Sequence, residues 1–200
     1  SISSKHRIVL PSVYAWLRQG AREAEAIETA DFDRKKLIEA IPDIRNLTRE
    51  RAQLFHPKLQ EIFASCGIAF VVVPSIKNAP IFGATRWAST SKALMQLSIR
   101  LKWADIFWFN LFHEIGHILY DGKKEFNVDF SENNPNSDSE KRVIAFARDT
   151  LIPPKEYESL LNNLRPRMVD RTIDARLFAK RIDIHPGIVI GRLQHDKIIL

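Results

Sequence analysis

A chain of 200 residues with 45% hydrophobic content can bury one sizeable core, or one domain with a helical appendage. Lys and Arg number 30 against 24 Asp and Glu, and the net charge of +6 allows an acidic or nucleic-acid partner. The charges are scattered, however, with no basic run interleaved with aromatics, so direct nucleic-acid binding by this segment is not expected. The single cysteine, Cys66, excludes an internal disulfide framework and reads as a buried core thiol. The apolar runs are broken by polar residues, so no membrane span is expected. With no signal peptide visible, the expected compartment is the cytoplasm. The chain opens on Ser1 rather than Met, as expected of a trimmed segment or a piece of a longer protein.

In chain order, residues 10–30 read as helical with an interruption at Gly20. Asp33–Ala40 is a short helix stopped before Pro42, and Thr48–Cys66 a longer amphipathic helix that Pro57 kinks or splits and Gly67 ends. Three short strands follow, Ile68–Val73, Ile81–Trp87 and Ala93–Ile99, separated by turn residues. The period then becomes helical, with Asp105 as N-cap, Ile106–Tyr120 as the body and Gly122 as the stop. Lys123–Asn136 is polar and reads as a surface loop. A helix runs from about Asp138 to Leu151 and stops before Pro153 and Pro154. Three short helices are expected near 155–164, 169–181 and 186–196.

The chemistry sits in the long helix. His113-Glu114-Ile115-Gly116-His117 is an H-E-x-x-H sequence. Histidines four apart on a helix stand one turn apart, so their ring nitrogens can share one metal ion while the glutamate holds a water. At about 100° per residue, with Asn110 at zero, His113 falls near −60°, Glu114 near +40° and His117 near −20°. Apolar residues cover most of the rest of the circumference, so this is a buried helix with one polar stripe. Gly116 lies on another side, where the missing side chain lets another backbone approach.

Two histidines leave a zinc site incomplete, since hydrolytic sites hold three protein ligands. The downstream candidates are Asp121, Glu125, Asp129, Glu132, Asp138, Glu140, His185 and His195. On the wheel of its helix Glu140 shares the inward stripe with Val143, Ile144, Ala147 and Leu151, while Asp138 falls on the polar face. Ser137-Asp138-Ser139-Glu140 also fits a capping box, in which Glu140 would reach back to the backbone of Ser137 instead.

Phe107 to Leu119, together with Glu140 and the run Phe146-Ala147-Arg148-Asp149-Thr150-Leu151-Ile152-Pro153, resembles the ImmA/IrrE group of zinc-dependent metallopeptidases. Trp16-Leu17-Arg18, Gly83 to Trp87, Gln96-Leu97-Ser98 and Pro186 to His195 also look familial. The resemblance covers most of the chain and is closest to the branch often fused behind a helix-turn-helix domain. It implies His113, His117 and Glu140 as ligands of Zn2+ and Glu114 as the catalytic base. Val143 and Ile144 depart from the group's second motif, which prefers Ala and Asp or Asn there, and this bears on support of the metal ligands.

The resemblance implies an α+β, zincin-like fold, mostly helical, with a small three-stranded sheet over the motif helix. The expected parts are an N-terminal helical segment 1–66, a catalytic core 67–154 and a C-terminal helical segment 155–200, packed as one compact domain. Glu114 would take a proton from water and pass it to the leaving amine. A sheet edge would bind an extended substrate. Tyr120, Tyr157, His185 and His195 are the candidates for stabilising the oxyanion. The implied partner is a helix-turn-helix repressor, either as substrate or as a domain fused upstream; no such motif is found in this segment. The rival reading is a non-proteolytic, metal-binding regulatory or antitoxin-type domain of a DNA-binding protein.

Overall fold

The structure is a computed structural model and describes residues 9–99, 103–123, 127–130, 137–164 and 171–199. Helices α1 (Leu10–Glu25), α2 (Arg34–Asn46) and α3 (Ala52–Ser65) precede strands β1 (Ile68–Val73), β2 (Ile81–Trp87) and β3 (Ala93–Ser98). Helix α4 (Ala104–Tyr120), strand β4 (Asn127–Phe130) and helices α5 (Asp138–Leu151), α6 (Pro154–Asn162), α7 (Thr172–Arg181) and α8 (Pro186–His195) follow. The architecture is α+β and mostly helical. The sheet has the order β1-β3-β2-β4, with β1 parallel to β3 and the other pairs antiparallel.

The sheet is covered on both faces, which explains why its strands read as continuous apolar runs. Ala69, Val71 and Val73 of β1 and Leu94 of β3 pack with Val13 and Trp16 of α1. Ile68, Phe70, Ala93, Met95 and Leu97 point the other way, into a core shared with α2, α3, α4, α5, α7 and α8. Two polar ties fix α1 on its face. Trp16 Nε1 donates to the Val73 carbonyl at 3.2 Å, and Gln96 Nε2 donates to the Trp16 carbonyl at 2.8 Å.

Several boundaries differ from the sequence reading. Gly20 does not interrupt α1; a Cβ there would lie 1.9 Å from Gln96 Oε1, so the glycine makes room for the buried amide. Pro42 lies inside α2, which runs on to bury Ile44. Pro57 is likewise inside an unbroken α3, its ring on an exposed side. Gly67 does end α3. Its φ is +84°, and a Cβ would meet the Phe32 backbone at 2.3 Å. Trp103, not Asp105, is the N-cap of α4. The segment read as a surface loop contains β4, and its residues 124–126 and 131–136 lie outside the described ones. The sheet therefore has a fourth strand. No helix among the described residues is long and apolar enough to cross a membrane.

Arg45 ties two helix ends together. Its guanidinium donates to the Thr150 carbonyl at 3.0 Å, the Leu151 carbonyl at 3.1 Å and the Ile182 carbonyl at 3.0 Å. These are the C-termini of α5 and α7, where unpaired carbonyls and the helix dipole favour a cation. Burial pushes the pKa of Arg45 down, against the opposing pull of Asp183. Arg45→Met keeps the apolar stem and removes the donors. It is expected to cost about 2–3 kcal/mol and to lower Tm by about 5–10 °C, measured by thermal unfolding.

Candidate metal centre

Helix α4 is buried from Leu111 through Leu119, including His113, Glu114 and His117, which are 4%, 1% and 5% exposed. The helix meets α5 at Gly116. A Cβ at that position would lie 2.8 Å from Val143 Cγ1 and 3.4 Å from Val143 Cα, so only a bare backbone allows this approach. The contact sets Glu140, three residues before Val143, opposite the two histidines.

The donor atoms converge. His113 Nε2 lies 3.0 Å from His117 Nε2 and 3.3 Å from Glu140 Oε1, and His117 Nε2 lies 3.7 Å from Glu140 Oε2. In a tetrahedral site with zinc bonds of about 2.0–2.1 Å, ligand atoms stand about 3.3 Å apart. The observed separations straddle that value. On the far side of its ring, His117 Nδ1 lies 2.6 Å from Asp121 Oδ2. An ionised carboxylate only accepts, so this bond puts the proton on Nδ1 and leaves the Nε2 lone pair facing the cluster. The other oxygen of Asp121 accepts from Ser139 Oγ, which joins the end of α4 to the first turn of α5 beside Glu140. Two imidazole nitrogens and a carboxylate at this spacing are a donor set suited to a divalent cation, and His113, His117 and Glu140 could hold a metal ion.

Both readings of the Ser137 to Glu140 sequence meet here. Ser137 Oγ does cap α5, accepting from the Glu140 backbone N–H at 3.1 Å. The Glu140 carboxylate, however, turns to the histidines. Among the described residues, the other third-ligand candidates are not part of this cluster. Asp121 orients His117, and the Asp138 side chain is 97% exposed. His185 caps α8, accepting from the Gly187 N–H at 3.0 Å. Glu125 and Glu132 fall outside the described residues, as does the side chain of Asp129.

Glu114 points to a different neighbour. Its Oε2 accepts from Thr85 Oγ1 of β2. Thr85 was not singled out as a site residue from the sequence; its place two residues from Gly83 on one strand face was the available signal.

A cavity of about 570 Å³ opens beside His113 and Glu140. Phe82, Ile106, Phe109 and Ile144 give it apolar walls, and α8 closes it with Ile188, Arg192 and His195. Of these α8 residues the sequence reading names only His195 as a site candidate. Of the four oxyanion candidates, His195 lines the cavity, with Nδ1 2.9 Å from Asp196 Oδ1. Tyr157 donates its hydroxyl to Asp196 Oδ2 at 2.6 Å; burial and that carboxylate push its pKa well up. Tyr120 packs edge-on against Phe146. The second edge of β2 is paired with β4, so an extended substrate would meet the sheet at another edge. Compared with known proteins, the chain matches no family model and no curated protein.

Two predictions follow from this geometry. Removing a ligand should cost more metal affinity than removing the residue that orients one. Asp121→Ala is expected to weaken zinc by about 10–100-fold, and Glu140→Ala by more than about 100-fold, in competition titrations with a chromophoric chelator. The second concerns acid stability. Burial raises the Asp196 pKa, but hydrogen bonds from Tyr157, His195 and Arg192 outweigh it and hold the carboxyl at about 2. A depressed carboxyl stabilises the fold above its unfolded pKa of about 3.9 and loses that contribution as pH falls towards the folded value. Asp196→Asn should therefore flatten the fall of Tm between about pH 4 and pH 2 in a series of melts.

Proposed function

We propose that this chain is a zinc-dependent metallopeptidase of the ImmA/IrrE kind, with a zincin-like core and a helix-turn-helix repressor as substrate, acting in transcriptional regulation in the cytoplasm. The observation that carries the reading is the convergence of His113, His117 and Glu140 from two helices at separations of 3.0, 3.3 and 3.7 Å. The cavity beside them supports it, because a hydrolase needs room for substrate next to its ligands. The family likeness of the sequence supplies the substrate class.

His113, His117 and Glu140 would hold the ion. With zinc in place the site gains a Lewis acid that polarises a peptide carbonyl and lowers the pKa of a water to about 7. Glu114 takes the proton of the attacking water and returns it to the leaving amine. Asp121 keeps the His117 ring in its donor orientation throughout. The cavity takes a substrate side chain beside the scissile bond, between apolar walls and the charged groups of Arg148, Arg192 and Asp105.

Glu114→Gln separates this chemistry from mere metal storage, since Glu114 is not among the three ligands. The variant is expected to retain about one zinc per chain by elemental analysis. It should lose about 10²–10⁴-fold in cleavage of a bacterial proteome-derived peptide library read by mass spectrometry. Cleavage at the wild-type rate by the variant would overturn the mechanism. A zinc-loaded wild type that cleaves neither the library nor helix-turn-helix repressors would instead favour a non-proteolytic regulatory domain.

A further inference from the structure

The polar stripe of α4 divides between two neighbours. His113 and His117 face Glu140 of α5, whereas the adjacent Glu114 is held by β2. Glu114 is 1% exposed, so its carboxylate has exchanged water for protein partners, and their arrangement decides where it rests. Two residues of β2 contribute to that arrangement. Thr85, 3% exposed, donates its hydroxyl to Glu114 Oε2. Gly83, two residues earlier on the same strand face, lies against the other oxygen; a Cβ there would come within 2.1 Å of Glu114 Oε1 and 2.8 Å of Cδ.

A buried strand position facing a helix is ordinarily filled by Val or Ile. Thr has the shape of Val with a hydroxyl in place of a methyl, and a buried hydroxyl is costly unless it is used. At Thr85 it is used on the one acidic residue of the motif helix stripe that is not a ligand. The irregularity of the β2–β4 pairing between Ile81 and Gly83 belongs to the same device. It leaves Ile81 in the cluster on the α1 face with Ala84, while Phe82 reaches the cavity and Gly83 stays under Glu114.

We propose that Thr85 is a positioning residue for Glu114, holding one carboxylate oxygen by its hydroxyl, and that Gly83 keeps open the space in which the other oxygen sits. Thr85 touches neither metal nor substrate in this role. It fixes the rotamer of the base, so its loss affects proton transfer and leaves metal binding intact. This inference rests on the peptidase reading for its kinetic consequence, but the placement of the carboxylate can be read without turnover.

The test compares Thr85→Val, Thr85→Ser, Gly83→Ala and Glu114→Gln with the wild type. Turnover is measured on a fluorogenic peptide built from the best-cleaved library sequence, alongside zinc content. Thr85→Val should lower kcat by about 10–100-fold with KM and zinc content unchanged. Thr85→Ser, which restores the hydroxyl, should return kcat to within a few-fold of wild type. Gly83→Ala, which displaces the carboxylate from the opposite side, should reproduce the kcat loss. A second readout uses the cobalt-substituted proteins, whose visible bands respond to a nearby carboxylate. Thr85→Val, Gly83→Ala and Glu114→Gln should each shift the bands, and Thr85→Ser should not.

An active wild type whose Thr85→Val variant has the same kcat and the same cobalt bands would overturn the inference and leave the peptidase reading standing. Equal kcat losses in Thr85→Val and Thr85→Ser would also overturn it, because the hydroxyl would then not be the operative group. Band shifts in the expected pattern with a wild type that cleaves nothing would uphold the positioning role and overturn the peptidase reading. Inactive wild type with unresponsive bands would overturn both.

Discussion

The close approach of α4 and α5 at Gly116 is the constraint on which the site depends. The Cβ of any other residue would meet Val143 Cγ1 at 2.8 Å, and the Val143 side chain or the helices would have to shift. Glu140 stands one turn before Val143 on α5, so any separation at Gly116 also draws its carboxylate away from the histidines. The Asp121 bridge to Ser139 reinforces the same junction from the end of α4. Val143 is thus the packing partner of Gly116 at this junction.

Bringing two imidazoles and a carboxylate together in a site this buried has a desolvation cost, because burial removes the water that would have solvated them. The fold holds them regardless, because α4 is clamped by apolar contacts on its remaining sides, with Trp108, Leu111, Phe112 and Ile115 almost fully buried. The core energy of the helix therefore supports a buried polar cluster that could hold a metal ion.

Much of this was legible in the sequence, for a definite reason. The H-E-x-x-H spacing pointed to His113 and His117, and helical periodicity put Glu140 on an inward stripe while leaving its capping role open; the structure brings the three together. The strands β1, β2 and β3 announced themselves by apolar runs between turn residues. What could not be read depends on residues far apart in the chain. Gly20 looks like a helix breaker until Gln96, on a strand, is seen to need its space. Pro42 looks like a stop, but burial of Ile44 and the bonds from Arg45 to α5 and α7 hold the last turn of α2 beyond it. β4 is polar enough to pass for loop, and only its pairing with β2 makes it a strand. The cavity exists because α8 folds back over α4, a packing that no local pattern announces. Ser137-Asp138-Ser139-Glu140 is the instructive middle case. The local pattern admitted two fates for Glu140, and tertiary packing selected one while the serine kept its cap.

The division of labour around α4 has a consequence for how such a site can change. On the proposed function, metal binding would draw on α4 and α5, while β2 contributes Thr85 and Gly83 to the surroundings of Glu114. Glu114 adjoins His113 in the chain, so substitutions around the two are expected to couple. The cavity adds a third, separate surface, since its far wall comes from α8. Changes of substrate preference would then arise most readily at Ile188, Arg192 and His195, which line the space but belong to neither the ligand set nor the support of Glu114.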